Sequence, residues 1–359
     1  MKLPNSALIL AHYYAYGPAD DLERLLSSRI HRLMVVKVPL FLESNNEVYV
    51  RVYEKGRLYS WKARVAPRLH SLQRIQAYIL SLLRLHGYTF DMAIGQDPIV
   101  TFIGLGLRRA GIVQKVVFHS HSYTAPARGA MYRLIDRIAT IRSDTVWALS
   151  RRLAGIRKLI GARRVIHVPV CIRDDVLPAS TSRRDRSIVF IGRLSRDKGI
   201  DVLLKSIPRL LESFDKIVIV GKGPYEKVLA RLSSRREIMF MGPRPLAEAM
   251  KIAAEAALGL VLSRPSLEVL TTDPMKPKVY LAAGTPIIIP PYLELSSDVA
   301  RAGAGALAYP KPSAVADAAA RVAKNLDDSL SAARELARKN DYWKCSTILL
   351  NALKNTMEE

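Results

Sequence analysis

The residues with chemical potential in this chain are cations and histidines that stand just after short apolar runs. After "SIVFIG" the chain reads "GRLSRDKGIDVLLKSI". Gly192 frees the backbone, Arg193 and Lys198 stand either side of a short turn, and Gly199 begins a helical pattern. Two cations beside a helix N-terminus suit a diphosphate, because helix dipole, free N–H groups and side-chain charge act together. A basic surface turn is the plainer alternative. After the next apolar run, "IVGKGPYEKVL" lets Gly221 and Gly223 turn the chain tightly, with Pro224 opening the following helix. In "TTDPMKPKVYLAAGTPIIIPP" the expected reading is Asp273 as N-cap, a helix over 275–283 and Gly284 as its C-cap. Lys276 and Lys278 fall in the first turns of that helix, where cations oppose the dipole. A bound anion removes the conflict. In the first half, "VVFHSHSYTAPAR" places His119 and His121 two apart at the end of a strand, and so on one face.

The elements that must position these residues alternate along the chain. "SALILAHYY", "RLMVVKVPL", "FDMAIGQ", "KVVFHSHS", "TVWALS" and "RVIHVPV" read as strands, with amphipathic helical patterns between them. One of those helices, over 71–86, is long and basic. A second alternation follows in "SIVFIG", "KIVIVG", "EIMFMG", "LGLVLS" and "TPIIIP". Strands separated by crossover helices imply parallel sheets with helices on both faces. The expected organisation is an α/β chain of two doubly wound domains: residues 1–172, a linker over 173–186, residues 187–340, and a last helix in 341–359 that packs back towards the N-terminal domain. Two such domains form a cleft, and ligands bind outside the carboxyl ends of their strands.

Composition narrows the class. The chain has 359 residues, 49% hydrophobic and 24% charged, so it is globular and long enough for two cores. Its formal net charge is +23. Residues 1–175 hold 27 Lys and Arg against 12 Asp and Glu, whereas the remainder holds 28 against 20. An uneven basic excess of this kind attracts anionic lipid, nucleic acid or phosphorylated substrates. No apolar run approaches the roughly 18 residues of a membrane span, and the N-terminal apolar stretch is too short for a signal peptide. The expected location is cytoplasmic and peripheral at the inner face of the membrane. Cys171 and Cys345 form neither metal-ligand spacing nor a disulfide framework, which fits a reducing compartment.

In order, "IGRLSRDKGIDVLL", "IVGKGPY", "MFMGP" and "DPMKPKVYLAAGTPIII" resemble the donor half of the retaining glycosyltransferases of family 4, which have the GT-B fold. The resemblance covers residues 187–310 strongly and reaches the first half through "SDTVWALS" and "VIHVPVCI". It implies transfer from a nucleoside-diphosphate sugar with retention, without a bound metal and with no other cofactor. Arg193 and Lys198 are then expected to hold the donor diphosphate and stabilise its departing charge. Gly17, Gly192, Gly221, Gly223, Glu268, Asp273, Lys276, Lys278 and Tyr280 are expected on the donor side. His121 matches the family's transfer histidine, with His119 second and on the acceptor side.

The family pattern also shows departures. Thr271 and Val279 stand where many members carry two glutamates, so the grip on the ribose is expected to be relaxed, with Glu268 or Asp273 taking over a sugar-hydroxyl contact. Ser122 replaces an acid after the histidine, and Cys171 a glycine at the inter-domain hinge. The expected partners are a nucleotide sugar and an anionic membrane surface or lipid-linked acceptor. Three rival readings are a catalytically degenerate paralogue serving as a partner, an epimerase on the same plan, and a nucleic-acid-binding protein. The last lacks a basic–aromatic platform.

Overall fold

The near-continuous Val, Ile and Leu runs form strands buried on both faces, and they build two separate sheets in a computed structural model. Residues 3–12, 18–38, 47–64, 86–172, 185–339 and 345–358 are described. The expectations for Gly17, for the 71–86 helix and for most of the linker therefore lie outside the described residues. The chain divides into two units, Met1–Pro169 with Ser346–Glu359, and Val170–Cys345.

The first unit holds strands β1 (Ser6–His12), β2 (Arg32–Val38), β3 (Glu47–Glu54), β4 (Arg57–Arg64), β5 (Phe90–Gly95), β6 (Val113–Ser120), β7 (Thr145–Ala148) and β8 (Val165–His167). Their spatial order is β4-β3-β2-β1-β5-β6-β7-β8. From β2 through β8 neighbouring strands are parallel, apart from the hairpin β3–β4, which adds antiparallel to β2. That hairpin adds an antiparallel edge to an otherwise parallel sheet. Its turn is Lys55–Gly56, both left-handed at φ 50° and 77°, the geometry a two-residue hairpin needs. Glu23 ties it down: the carboxylate accepts from Arg51 at 2.9 Å and from Tyr53 at 2.8 Å, with Lys37 at 3.3 Å. The terminal helix Cys345–Met357 belongs to this unit, where the Trp147 indole donates to Thr356 Oγ1 at 3.1 Å.

The second unit holds β9 (Asp185–Ile191), β10 (Lys216–Val220), β11 (Ile238–Phe240), β12 (Ala256–Leu260), β13 (Ile287–Ile289) and β14 (Gly305–Leu307). The order is β11-β10-β9-β12-β13-β14, parallel throughout. Alternate residues enter different cores. Ile188, Phe190, Ile217 and Ile219 pack on one face, and Val189, Val218 and Val220 on the other. The winding reverses between β9 and β12, and that reversal opens a crevice at the carboxyl ends of these two strands.

Cys171, at the start of this unit, is disulfide-bonded and buried, and no free cysteine is present among the described residues. This overturns the expectation of no disulfide. Separation along the chain does not prevent a fold from bringing two sulfurs within bonding distance.

Candidate functional site

In the second unit the loops after β9, β10 and β11 are laced by their backbones. Gly192 N donates to Val220 O at 2.8 Å, Leu194 N to Lys222 O at 2.9 Å, and Gly221 N to Gly242 O at 2.9 Å. The glycines are what permit this approach. A Cβ on Gly221 would lie 1.8 Å from Gly192 O, and one on Gly223 2.6 Å from Leu194 O, and both residues have positive φ. The loop after β12 is held to the same place by Arg264, which donates from Nη2 to Asp201 at 2.7 Å and from Nε to Arg196 O at 3.1 Å. No sequence signal had marked this arginine.

Lys276 completes the loop cluster. Its ammonium lies over the backbone of Gly192, 2.0 Å from where a Cβ would stand, and 5.3 Å from the centre of the Phe190 ring. Burial, with Lys198 adding to it and Asp197 opposing, pulls this ammonium down to about 8. Lys198 is partly buried and sits 3.0 Å from Asp197, on the 3-10 turn Arg196–Lys198 that leads into the helix Ile200–Leu210. Arg193 is exposed on the same loop. Two lysines within electrostatic reach of each other, beside a helix start and a glycine-lined backbone, form a site for an anion.

The structure separates the remaining expected residues from that cluster. Asp273 is not the N-cap of the helix Met275–Ala282; Pro274 is. Asp273 and Lys278 are both 1% exposed at their side chains and form an ion pair. Asp273 Oδ2 also accepts from Val170 N at 2.8 Å, and the Lys278 ammonium donates to Val170 O. This pair therefore clamps the chain at Val170, which corrects the expectation that both side chains face a donor. Tyr280 is likewise corrected. Its ring lies against Gly259, where a Cβ would meet it at 2.7 Å, and its hydroxyl accepts from Ile191 N at 2.7 Å. It pins β9 to β12 from beneath. Thr271 is buried and donates to Leu267 O at 2.7 Å, while Val279 is 4% exposed among Ile172 and Met250. Glu268 is exposed in the first turn of the short helix Leu267–Thr271, which Ser266 caps.

In the first unit a second polar cluster forms where β1, β5 and β6 end side by side. His12 ends β1, and its Nε2 meets Asp97. Asp97 caps the helix Pro98–Arg109, accepting from Ile99 N at 2.6 Å and Val100 N at 3.0 Å. Burial pushes its carboxyl up, but His12 and these two N–H groups outweigh that and hold it below the usual range. His119 and His121 lie edge to face with ring centres 4.8 Å apart, and Trp147 covers His119 at 5.6 Å. Burial pulls His121 down to about 4, with Asp97 opposing, and pulls His119 well below its ordinary value. Both are thus neutral at pH 7. Neither nitrogen of His119, nor Nε2 of His121, has a hydrogen-bond partner among the described residues. His119 is buried, whereas His121 and Ser122 are partly exposed. The His12–Asp97 pair has no sequence signal because His12 ends β1 and Asp97 stands in the turn after β5, far apart along the chain. Among the described residues no group of three or more His, Cys, Asp or Glu side chains is arranged to hold a metal ion.

Residues 185–325 match the family described as Glycosyl transferases group 1. A stretch of 63 residues is 35% identical to an uncharacterized glycosyltransferase of Methanocaldococcus jannaschii, covering 16% of each chain. Among solved structures, sucrose-phosphate synthase from Thermosynechococcus elongatus superposes with a TM-score of 0.73 at 15% identity, over 98% of both chains. Anabaena HepE, in complex with UDP and glucose, superposes with a TM-score of 0.71 at 13% identity, over 99% of this chain and 100% of the other. The chain has the GT-B fold of two Rossmann-like domains, and its residues 185–325 are similar to the glycosyl transferases group 1 family.

Proposed function

We propose that this protein is a glycosyltransferase that takes its sugar from a nucleoside-diphosphate sugar. The observation that carries the reading is the ammonium of Lys276 laid over Gly192, beside Lys198 and the glycine-lined turns at Gly221 and Gly223. Such a cluster stabilises a leaving diphosphate as its charge develops, and the cations supply charge that other enzymes take from a metal ion. The group 1 domain and the UDP held by HepE support the same reading. In it Arg193 and Lys198 bind the diphosphate, Glu268 offers the exposed carboxylate for a sugar hydroxyl, His121 acts as a neutral imidazole in transfer, and His119 stands behind it. Retention of configuration follows the family resemblance. No cofactor beyond the nucleotide sugar enters this scheme. No helix among the described residues is long and apolar enough to cross a membrane, and the proposed place of action is a membrane face, on a lipid-linked or glycan acceptor.

Calorimetric titration with UDP and GDP tests the donor site. Arg193→Ala and Lys198→Ala should each weaken binding by about 1.5–3 kcal/mol, the worth of a charge-assisted contact, with the melting temperature unchanged. Wild-type affinity in both variants would refute the assignment. Hydrolysis of UDP- or GDP-sugars by the wild type, lost in His121→Ala, separates an enzyme from a degenerate paralogue.

A pH series gives an independent check. A bound diphosphate favours the charged form of Lys276, so affinity should be full below about pH 8 and fall as pH rises past the free-state value of about 8. Lys276→Met should weaken binding by roughly tenfold or more and flatten the profile. A profile in the variant as steep as in the wild type would show that another group titrates.

A further inference from the structure

The helices Pro98–Arg109, Ala130–Arg142 and Arg151–Ile160 connect β5 to β6, β6 to β7 and β7 to β8. Because these strands lie in that spatial order, right-handed crossovers place all three helices on one face of the sheet. They pack against each other in sequence. Over residues 98–164 the chain carries 13 Lys and Arg but only two acids, Asp136 and Asp144. Both acids are already paired. Asp136 lies 2.7 Å from Arg157 in a buried ion pair, and Asp144 lies 2.6 Å from Arg108. The outward side of this layer is therefore rich in cations, and both acids of residues 98–164 are engaged with Arg157 and Arg108.

Large apolar side chains stand among those cations. On the helix Ala130–Arg142, Met131 is 77% exposed and Leu134 is 59% exposed, one turn apart. Arg137 is exposed one turn beyond Leu134, and Arg133 is exposed further round the same helix. A single exposed leucine needs no explanation. Two large apolar side chains one helical turn apart, flanked by arginines and free of acids, match the pattern of an interfacial helix.

We infer that the outward face of the helix Ala130–Arg142 docks on an anionic phospholipid surface. Met131 and Leu134 enter the boundary between head groups and acyl chains, and Arg133 and Arg137 meet the lipid phosphates. Nucleic acid would reward the arginines but gives nothing for burying Met131 and Leu134, which favours lipid. The surface stands on its own observations; its purpose, bringing the protein to a lipid-borne acceptor, rests on the proposed transferase reading.

The test is co-sedimentation of the full chain with phosphatidylcholine vesicles, with and without phosphatidylglycerol. The wild type should bind only the anionic vesicles, and salt should release it. The double variants Met131→Ser/Leu134→Ser and Arg133→Glu/Arg137→Glu should each partition at least about tenfold less. Both pairs are exposed, so melting temperature and UDP binding should stay at wild-type values. Failure of the wild type to bind anionic vesicles, or wild-type partitioning in either double variant, overturns the proposal. RNA binding lost in the arginine variant but kept in the apolar one also overturns it, in favour of nucleic acid. Absent UDP binding in the wild type would count against the transferase reading alone and leave the surface intact.

Discussion

Replacing Lys278 by methionine is expected to destabilise the protein by about 3–5 kcal/mol, the range for breaking a buried ion pair by removing one partner. Both members are 1% exposed at their side chains. Burial pushes the Asp273 carboxyl up and pulls the Lys278 ammonium down, and each is the main electrostatic support of the other. Without the lysine, the Asp273 carboxyl keeps, among the described residues, only the Val170 N–H at 2.8 Å, and Val170 O loses the lysine's N–H. Urea unfolding of the full chain measures the loss. The double variant Asp273→Asn/Lys278→Met should recover much of it, because no charge is then left buried. A Lys278→Met protein as stable as the wild type would show that the clamp contributes nothing. UDP affinity in the folded fraction should be unchanged, in contrast to Lys276→Met. That contrast separates two lysines that are two residues apart and were indistinguishable in sequence.

Why they were indistinguishable is instructive. Both lie in the first turns of one helix, and the conflict between a cation and the dipole applies equally to each. Only the fold shows that Lys276 lies over Gly192 while Lys278 meets Asp273. The glycines were legible for a different reason. Positive φ and close backbone approach leave few alternatives to glycine, so Gly192, Gly221 and Gly223 announce a tight packing of loops wherever the loops end up. The parallel cores were legible because strands buried on both faces read as continuous apolar runs, as with Ile188 to Ile191. The hairpin β3–β4 was missed although "EVYVRVYEKGRLYSWKAR" alternates apolar and polar residues about a Lys-Gly turn. Period-two alternation is the signal of a half-solvated antiparallel pair, and it went unread beside stronger βα patterns. The His12–Asp97 pair depends on β1 and β5 lying adjacent. Spatial strand order of this kind is not local, so no spacing along the chain encodes it.

Val279→Glu is expected to destabilise the protein severely, by several kcal/mol, and not to tighten nucleotide binding. By family resemblance a glutamate at this position would be expected to reach the ribose. In this fold Val279 is 4% exposed and packs with Ile172 and Met250, with Ile191, Leu246 and Met275 around them. A carboxylate placed in this apolar packing would have to be protonated or driven out, and either costs stability. The neighbouring helix positions offer no escape. Lys278 is occupied by Asp273, and the Tyr280 ring is locked under Gly259. The variant should lower the melting temperature sharply at pH 7 and recover part of the loss at acidic pH, where the carboxyl is neutral. The sign follows from linkage: a carboxyl whose folded-state value is raised by burial binds its proton more tightly in the folded chain than in the unfolded one, so its penalty grows as pH rises through the unfolded value near 4.3. Val279→Thr, close in volume but with one hydroxyl, should lie between the two. A Val279→Glu protein that melts with the wild type and binds UDP more tightly would place this side chain on the nucleotide and refute its assignment to the core. On the proposed reading the exposed Glu268 supplies the hydroxyl contact that Val279 does not, so Glu268→Gln should weaken UDP binding while leaving the melt unchanged.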